Sequence, residues 1–167
     1  MPVNRRDMDY AEAITAAFES LELTHVVWLP DSTLGLWETA LAASQKLRLV
    51  RVCREGEAWA LAAGLHLGGA RPIVVLQSTG LFESGDSLRN VLFDMELPLY
   101  AVVGYRSYLL EGSRDTARRY TEPVLAAWNI DHVLVDSPRR VALFVEHYGR
   151  CRKSGKAGVT LLAEGKG

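Results

Sequence analysis

CREGEAWALAAGLHLGGARPIVVLQSTG, residues 53–80, carries the reading of the fold. An apolar run, LRLVRV (47–52), comes just before it, and an acidic residue, Glu55, follows that run closely. An alanine-rich helix over 56–68 comes next, then a second apolar and β-branched run, PIVVL (72–76). Neither run alternates apolar with polar residues, which is the pattern of strands covered on both faces. Strand, helix and strand in that order make one crossover unit of a parallel sheet.

Outward from this unit the alternation continues. HVVWL (25–29), PLYAVVGY (98–105), DHVLVD (131–136) and GVTLLAE (158–164) read as further strands. Helices are expected over 7–22, about 34–46, 84–95, 116–128 and 138–153. In the first, Tyr10, Ile14, Ala17, Phe18 and Leu21 recur at spacings of three and four and form one stripe. Leu34, Trp37, Leu41 and Ala42 do the same in the second. The expected fold is α/β: a single-domain three-layer sandwich over 1–167, with a six-stranded parallel sheet and helices on both faces.

Composition narrows the function. Nineteen Lys and Arg against 20 Asp and Glu give a net charge of −1 with no block of one sign, which argues against a nucleic-acid surface. No apolar run reaches the 18 residues of a membrane span, and MPVNRRDMDYAEA lacks the apolar core of a secretory signal, so a cytoplasmic protein is expected. Cys53 and Cys151 are expected as free thiols, at least one of them buried. The four histidines read as scattered, with no His or Cys neighbour at ligand spacing and no metal site made by this chain alone.

Ligands of open α/β sheets gather beyond the carboxyl ends of the strands. Four strand exits therefore matter: Pro30-Asp31-Ser32, Arg54-Glu55-Gly56, Gln77-Ser78-Thr79-Gly80 and Gly104-Tyr105-Arg106. Each has a plain structural reading. Asp31 or Ser32 caps a helix, Glu55 complements a helix dipole, QSTG forms a polar turn, and Arg106 is a surface cation. Each also has a functional reading, because helix N-termini attract anionic groups and a carboxylate at the mouth of an apolar helix favours its protonated form unless paired. Glycine-rich phosphate loops, a Walker lysine and a GxSxG elbow are missing from the sequence.

PDSTL, REGEAWALAAGLHLGG, RPIVVLQSTGL and LPLYAVVGYR, in this order and spacing, resemble the pyrimidine-binding domain of thiamine-diphosphate-dependent decarboxylases. Within that group it resembles phosphonopyruvate decarboxylase and the alpha subunit of sulfopyruvate decarboxylase. The resemblance implies that Glu55 hydrogen-bonds N1′ of the cofactor's aminopyrimidine and favours the imino tautomer, whose N4′ removes the thiazolium C2 proton. It places Gln77, Ser78, Thr79 and Gly80 along the cofactor and Asp31, Ser32 and Arg106 at the substrate end. Two departures concern the substrate end. The family commonly reads Q-N-S-G-L-G-N where this chain has Gln77-Ser78-Thr79-Gly80-Leu81-Phe82-Glu83, and R-G-E where it has Arg106-Ser107-Tyr108.

By the same resemblance the diphosphate and its Mg²⁺ belong to a second domain with a G-D-G motif, which these 167 residues do not contain. The expectation is half of an active site. The cofactors are thiamine diphosphate and Mg²⁺, the partner is a diphosphate-binding (beta) subunit of similar size, and the substrate is a small anionic 2-oxo acid. Self-association through pyrimidine-binding domains is also expected, because the apolar face of helix 56–68 (Ala58, Trp59, Ala62, Ala63, Leu65) exceeds what one sheet covers. A carboligase subunit and a non-catalytic regulatory module with this fold are the alternatives.

Overall fold

The computed structural model describes residues 5–30 and 37–165, with side chains from Tyr10 onward. It has six parallel strands: β1 (His25–Trp28), β2 (Arg48–Arg51), β3 (Pro72–Gln77), β4 (Tyr100–Tyr105), β5 (His132–Val135) and β6 (Gly158–Ala163). Their order across the sheet is β2-β1-β3-β4-β6-β5. Every neighbouring pair is parallel, as the crossover reading requires. Burial follows position. All six residues of each of β3, β4 and β6 are buried, whereas edge strand β2 has no buried residue.

Helices cover both faces. On one side α1 (Arg5–Ser20), α2 (Glu38–Ala43) and α7 (Val141–Ser154) close a core of Ile14, Phe18, Trp28, Leu41 and Phe144, all fully buried. On the other, α3 (Glu55–Leu67), α4 (Ser78–Glu83), α5 (Gly85–Arg89) and α6 (Thr116–Ala127) close a core of Trp59, Leu76, Leu88, Leu125 and Leu161. The Trp59 indole N–H donates to Ser84 Oγ at 3.0 Å, so this large side chain is buried without an orphaned donor. Losing a side chain of this kind from a core costs about 3–5 kcal/mol. The stripe of α1 is buried at Tyr10, Ile14, Ala17 and Phe18, as its spacing requires.

Three expectations change. The helix foreseen over 34–46 is described only as Glu38–Ala43; Trp37 and Leu41 are buried, but Ala42 faces solvent, and Leu34 lies outside the described residues. The single helix foreseen over 84–95 is α4, α5 and a π-helical turn (Asn90–Asp94), with Ser84 at the first junction. The polar turn read at QSTG is instead the first turn of α4, entered directly from β3.

Candidate functional site

The order β2-β1-β3 places a switch point between β1 and β3, because the chain leaves β1 toward one edge and returns through α3 to the other side. Crevices form there, at the carboxyl ends of the strands. Glu55 is the first residue of α3, half-buried, at the exit of β2. Asp31 and Ser32, at the exit of β1, lie outside the described residues.

The plain reading of Glu55 as the acidic residue that completes the helix start can now be tested. Glu57 Oε2 accepts the backbone N–H groups of Cys53 at 3.0 Å and Arg54 at 3.2 Å. Glu83 Oε2 accepts the Gly56 N–H at 3.0 Å, while its Oε1 is held by the Arg54 guanidinium at 2.6 Å. The helix entrance is thus satisfied by two other carboxylates. The Arg54 hydrogen bond, with that of the Gly56 N–H, holds the Glu83 carboxyl below the usual carboxylate range. Among the described residues no hydrogen bond or ion pair engages the Glu55 carboxylate.

What Glu55 does touch is Gly80. A Cβ built on Gly80 would stand 2.5 Å from Glu55 Cγ, 2.7 Å from Oε1 and 2.9 Å from Cδ. Only a glycine lets the side chain lie against the backbone of α4. Gly56 is tight in the same way, its Cβ position being 3.0 Å from Ser87 Oγ, so α3 and α5 pack closely beside the carboxylate.

At the exit of β3, Gln77 is buried. Its Nε2 donates to Glu164 Oε2 at 3.2 Å and its Oε1 accepts from Thr79 Oγ1 at 3.3 Å. Ser78 is fully buried, donating to the Gly104 carbonyl at 3.0 Å and accepting the Arg106 N–H at 3.4 Å. Its hydroxyl ties β3 to β4, whereas Thr79 is exposed on α4. The Arg106 side chain turns to Asp115, with Nε 2.9 Å from Oδ2, the oxygen that also accepts from Ser107 Oγ at 2.9 Å. Asp115 Oδ1 caps α6 through the Ala117 N–H. Burial opposes ionisation of Asp115, but the bonds from Ser107, Ala117 and Arg106 outweigh it and hold the carboxyl below its ordinary value.

The sequence reading did not single out Glu164. It follows β6 and is 5% exposed, a buried carboxylate at the same sheet edge as Gln77. The available signal was like the one used for Glu55: an acidic residue at the exit of a largely apolar run.

A parallel sheet with helices on both faces defines an α/β domain, and a half-buried glutamate stands at its carboxyl edge. No protein-family model matches the chain. Over 99 residues it is 26% identical to sulfopyruvate decarboxylase subunit alpha of Methanothermobacter thermautotrophicus, covering 59% of this chain and 60% of that one. Over 96 residues it is 29% identical to the phosphonopyruvate decarboxylases of Streptomyces viridochromogenes and Streptomyces hygroscopicus, covering 58% of this chain and 24% of each of those. The chain is a distant relative of these decarboxylases, as the sequence resemblance has it. No described helix is long and apolar enough to cross a membrane.

Proposed function

We propose that the chain is the pyrimidine-binding subunit of a two-component, cytoplasmic, thiamine-diphosphate-dependent decarboxylase. Its substrate is a small anionic 2-oxo acid of the phosphonopyruvate or sulfopyruvate kind, and its products are an aldehyde and CO₂. One observation carries the reading. Glu55 stands at the sheet's carboxyl edge, is not used to cap its helix, and lies against Gly80 with no hydrogen-bond or ion-pair partner among the described residues. A ring nitrogen fits as the partner of such a group.

Thiamine diphosphate, when bound, supplies the electron sink that lets a 2-oxo acid lose its carboxylate. The residues of this chain hold and move protons around it. Glu55 would hold and return a proton at the pyrimidine N1′, the acid–base role of a positioned carboxyl. The apolar helix α3 limits water at that point, and Gly80 fixes where the carboxyl lies. Gln77, oriented by Glu164 and Thr79, would line the cofactor, Ser78 would hold that strand exit in place behind it, and we assign the substrate end to Arg106, whose Nε is held by Asp115, with Asp31 and Ser32. The diphosphate and Mg²⁺ belong to the partner subunit. Apolar surface left over on α3, at Leu67 in the groove it lines with Met95, is where we place self-association.

The test is to purify the chain together with its partner and to supply thiamine diphosphate, Mg²⁺ and a series of 2-oxo acids. Release of CO₂ from the doubly anionic members, and its absence from the chain alone, is expected. Full turnover by the chain alone, or none with the partner, contradicts the proposal.

A further inference from the structure

At the opposite end of the sheet lies a cluster that this chemistry does not use. His147 and Cys151 are four residues apart on α7 and so share one face of the helix. The sequence reading overlooked this spacing. Asp131, immediately before β5, meets them there, and one potential ligand atom from each of the three lies within 4.8 Å of the others. We propose that Asp131, His147 and Cys151 form a binding site for a zinc-class divalent cation.

One edge of a tetrahedral site is already in place. Ligand bonds of about 2.0–2.1 Å to nitrogen and oxygen and 2.3 Å to sulfur set the edges of such a site at roughly 3.3–3.6 Å. His147 Nε2 is 3.3 Å from Asp131 Oδ1, already an edge, while Cys151 Sγ stands 3.9 Å from Nε2 and 3.8 Å from Nδ1, so a turn of the Cys151 side chain brings the sulfur to the ion. A mixed sulfur, nitrogen and oxygen donor set favours zinc over magnesium, which takes oxygen ligands.

The surroundings orient each ligand atom. His147 Nδ1 meets the Tyr100 hydroxyl at 2.5 Å, and that hydroxyl meets Thr160 Oγ1 at 2.7 Å. The ring is therefore held from its far side and turns Nε2 toward Asp131, as the outer contacts of metal-bound histidines do. Asp131 Oδ2 is held by Arg150 at 3.2 Å, which leaves Oδ1 for the ion. Arg150 repels a cation, but a thiolate and a carboxylate together balance the two positive charges of the metal. Gly158 gives the cluster its room: a Cβ there would be 2.6 Å from Cys151 Sγ and 2.8 Å from Tyr100 Cε2.

On binding, the thiol proton leaves to solvent and the imidazole carries its proton on Nδ1, where that N–H donates a hydrogen bond to the Tyr100 hydroxyl, which in turn donates one to Thr160 Oγ1. His147 and Cys151 are buried, but Asp131 is half-exposed, so solvent completes the fourth position on its side. The site is not the cofactor's magnesium site, because β4 separates Tyr100 at this end from Tyr105 at the other by roughly 17 Å of extended strand.

The metal-stripped full-length chain, titrated with zinc by calorimetry and with cobalt(II) by absorption, tests the proposal. One ion per chain is expected, bound at micromolar concentration or below, with a thiolate-to-cobalt charge-transfer band. Asp131→Asn changes an exposed group and should weaken binding tenfold or more while leaving the fold intact. Cys151→Ser should abolish the charge-transfer band, and Cys53→Ser, at the exposed thiol, should not. No stoichiometric binding, binding unaffected by Asp131→Asn, or a band that disappears with Cys53→Ser would overturn the assignment. Asp131→Asn decides the question even where Cys151→Ser fails to fold.

Discussion

The Glu55 side chain lies against the backbone of Gly80, where an added methyl group would stand 2.5 Å from Glu55 Cγ. The contact predicts a coupled pair of substitutions. Gly80→Ala forces the carboxylate aside and should cost about 1–3 kcal/mol, the range for overpacking, along with most of the activity. In a Glu55→Ala background the space opens, and the same Gly80→Ala change becomes neutral or stabilising through helix propensity. Denaturant unfolding of the four proteins measures this coupling. Additive effects would mean that the two residues do not meet in solution.

Glu55 and Glu57 stand two residues apart with different duties. Because Glu57 accepts two backbone N–H groups at the start of α3, Glu57→Ala should lower the thermal midpoint by about 2–4 °C. Glu55→Gln should leave it nearly unchanged. A thermal scan showing the reverse order would return Glu55 to the role of a cap.

Asp115 gathers the exit of β4 by binding Arg106, Ser107 and the first turn of α6. Its folded pKa is depressed, so the unfolded chain binds more protons as the pH drops. The stability it contributes is complete above the unfolded aspartate value of about 3.9 and is lost as pH falls through the lower folded value. Asp115→Asn should therefore be less stable than the parent at neutral pH and show a shallower acid limb. Parallel stability-versus-pH curves below pH 5 would contradict this.

Leu67 is 65% exposed at the end of α3, with Met95 nearby at 48%. If copies of the chain associate through this surface, Leu67→Glu should shift the assembly toward smaller species in sedimentation, with the fold unchanged. An unaltered distribution would place self-association elsewhere.

Most of this architecture is legible in the sequence because its signals are local. PIVVL and the alanine-rich helix after Glu55 announce themselves by composition and length, and the stripe from Tyr10 to Phe18 by period. What escaped depends on distant partners. QSTG looks like a turn, yet Ser78 is fixed by the Gly104 carbonyl in the neighbouring strand, and the chain enters α4 without one. Glu164 is buried with its carboxylate accepting from Gln77, 87 residues away in sequence. In α3, composition predicted surplus apolar surface at Ala58, Trp59, Ala62 and Ala63. The sheet and α5 bury all four, Leu65 is half-buried, and the uncovered apolar residues are Ala60, Leu61 and Leu67. Helix phase, which a nearly uniform apolar sequence conceals, decides between the two sets.

Glu55→Gln, measured in the complete enzyme with its partner, tests the central claim most directly. The amide keeps the size and hydrogen-bonding reach of the carboxyl but cannot exchange a proton with N1′. Exchange of the cofactor's C2 proton for deuterium, followed by NMR after rapid quenching, should slow by about 10²-fold or more, the scale of acid–base catalysis. Cofactor binding should change far less. Exchange at nearly the parent rate would show that Glu55 is not the proton partner of the cofactor.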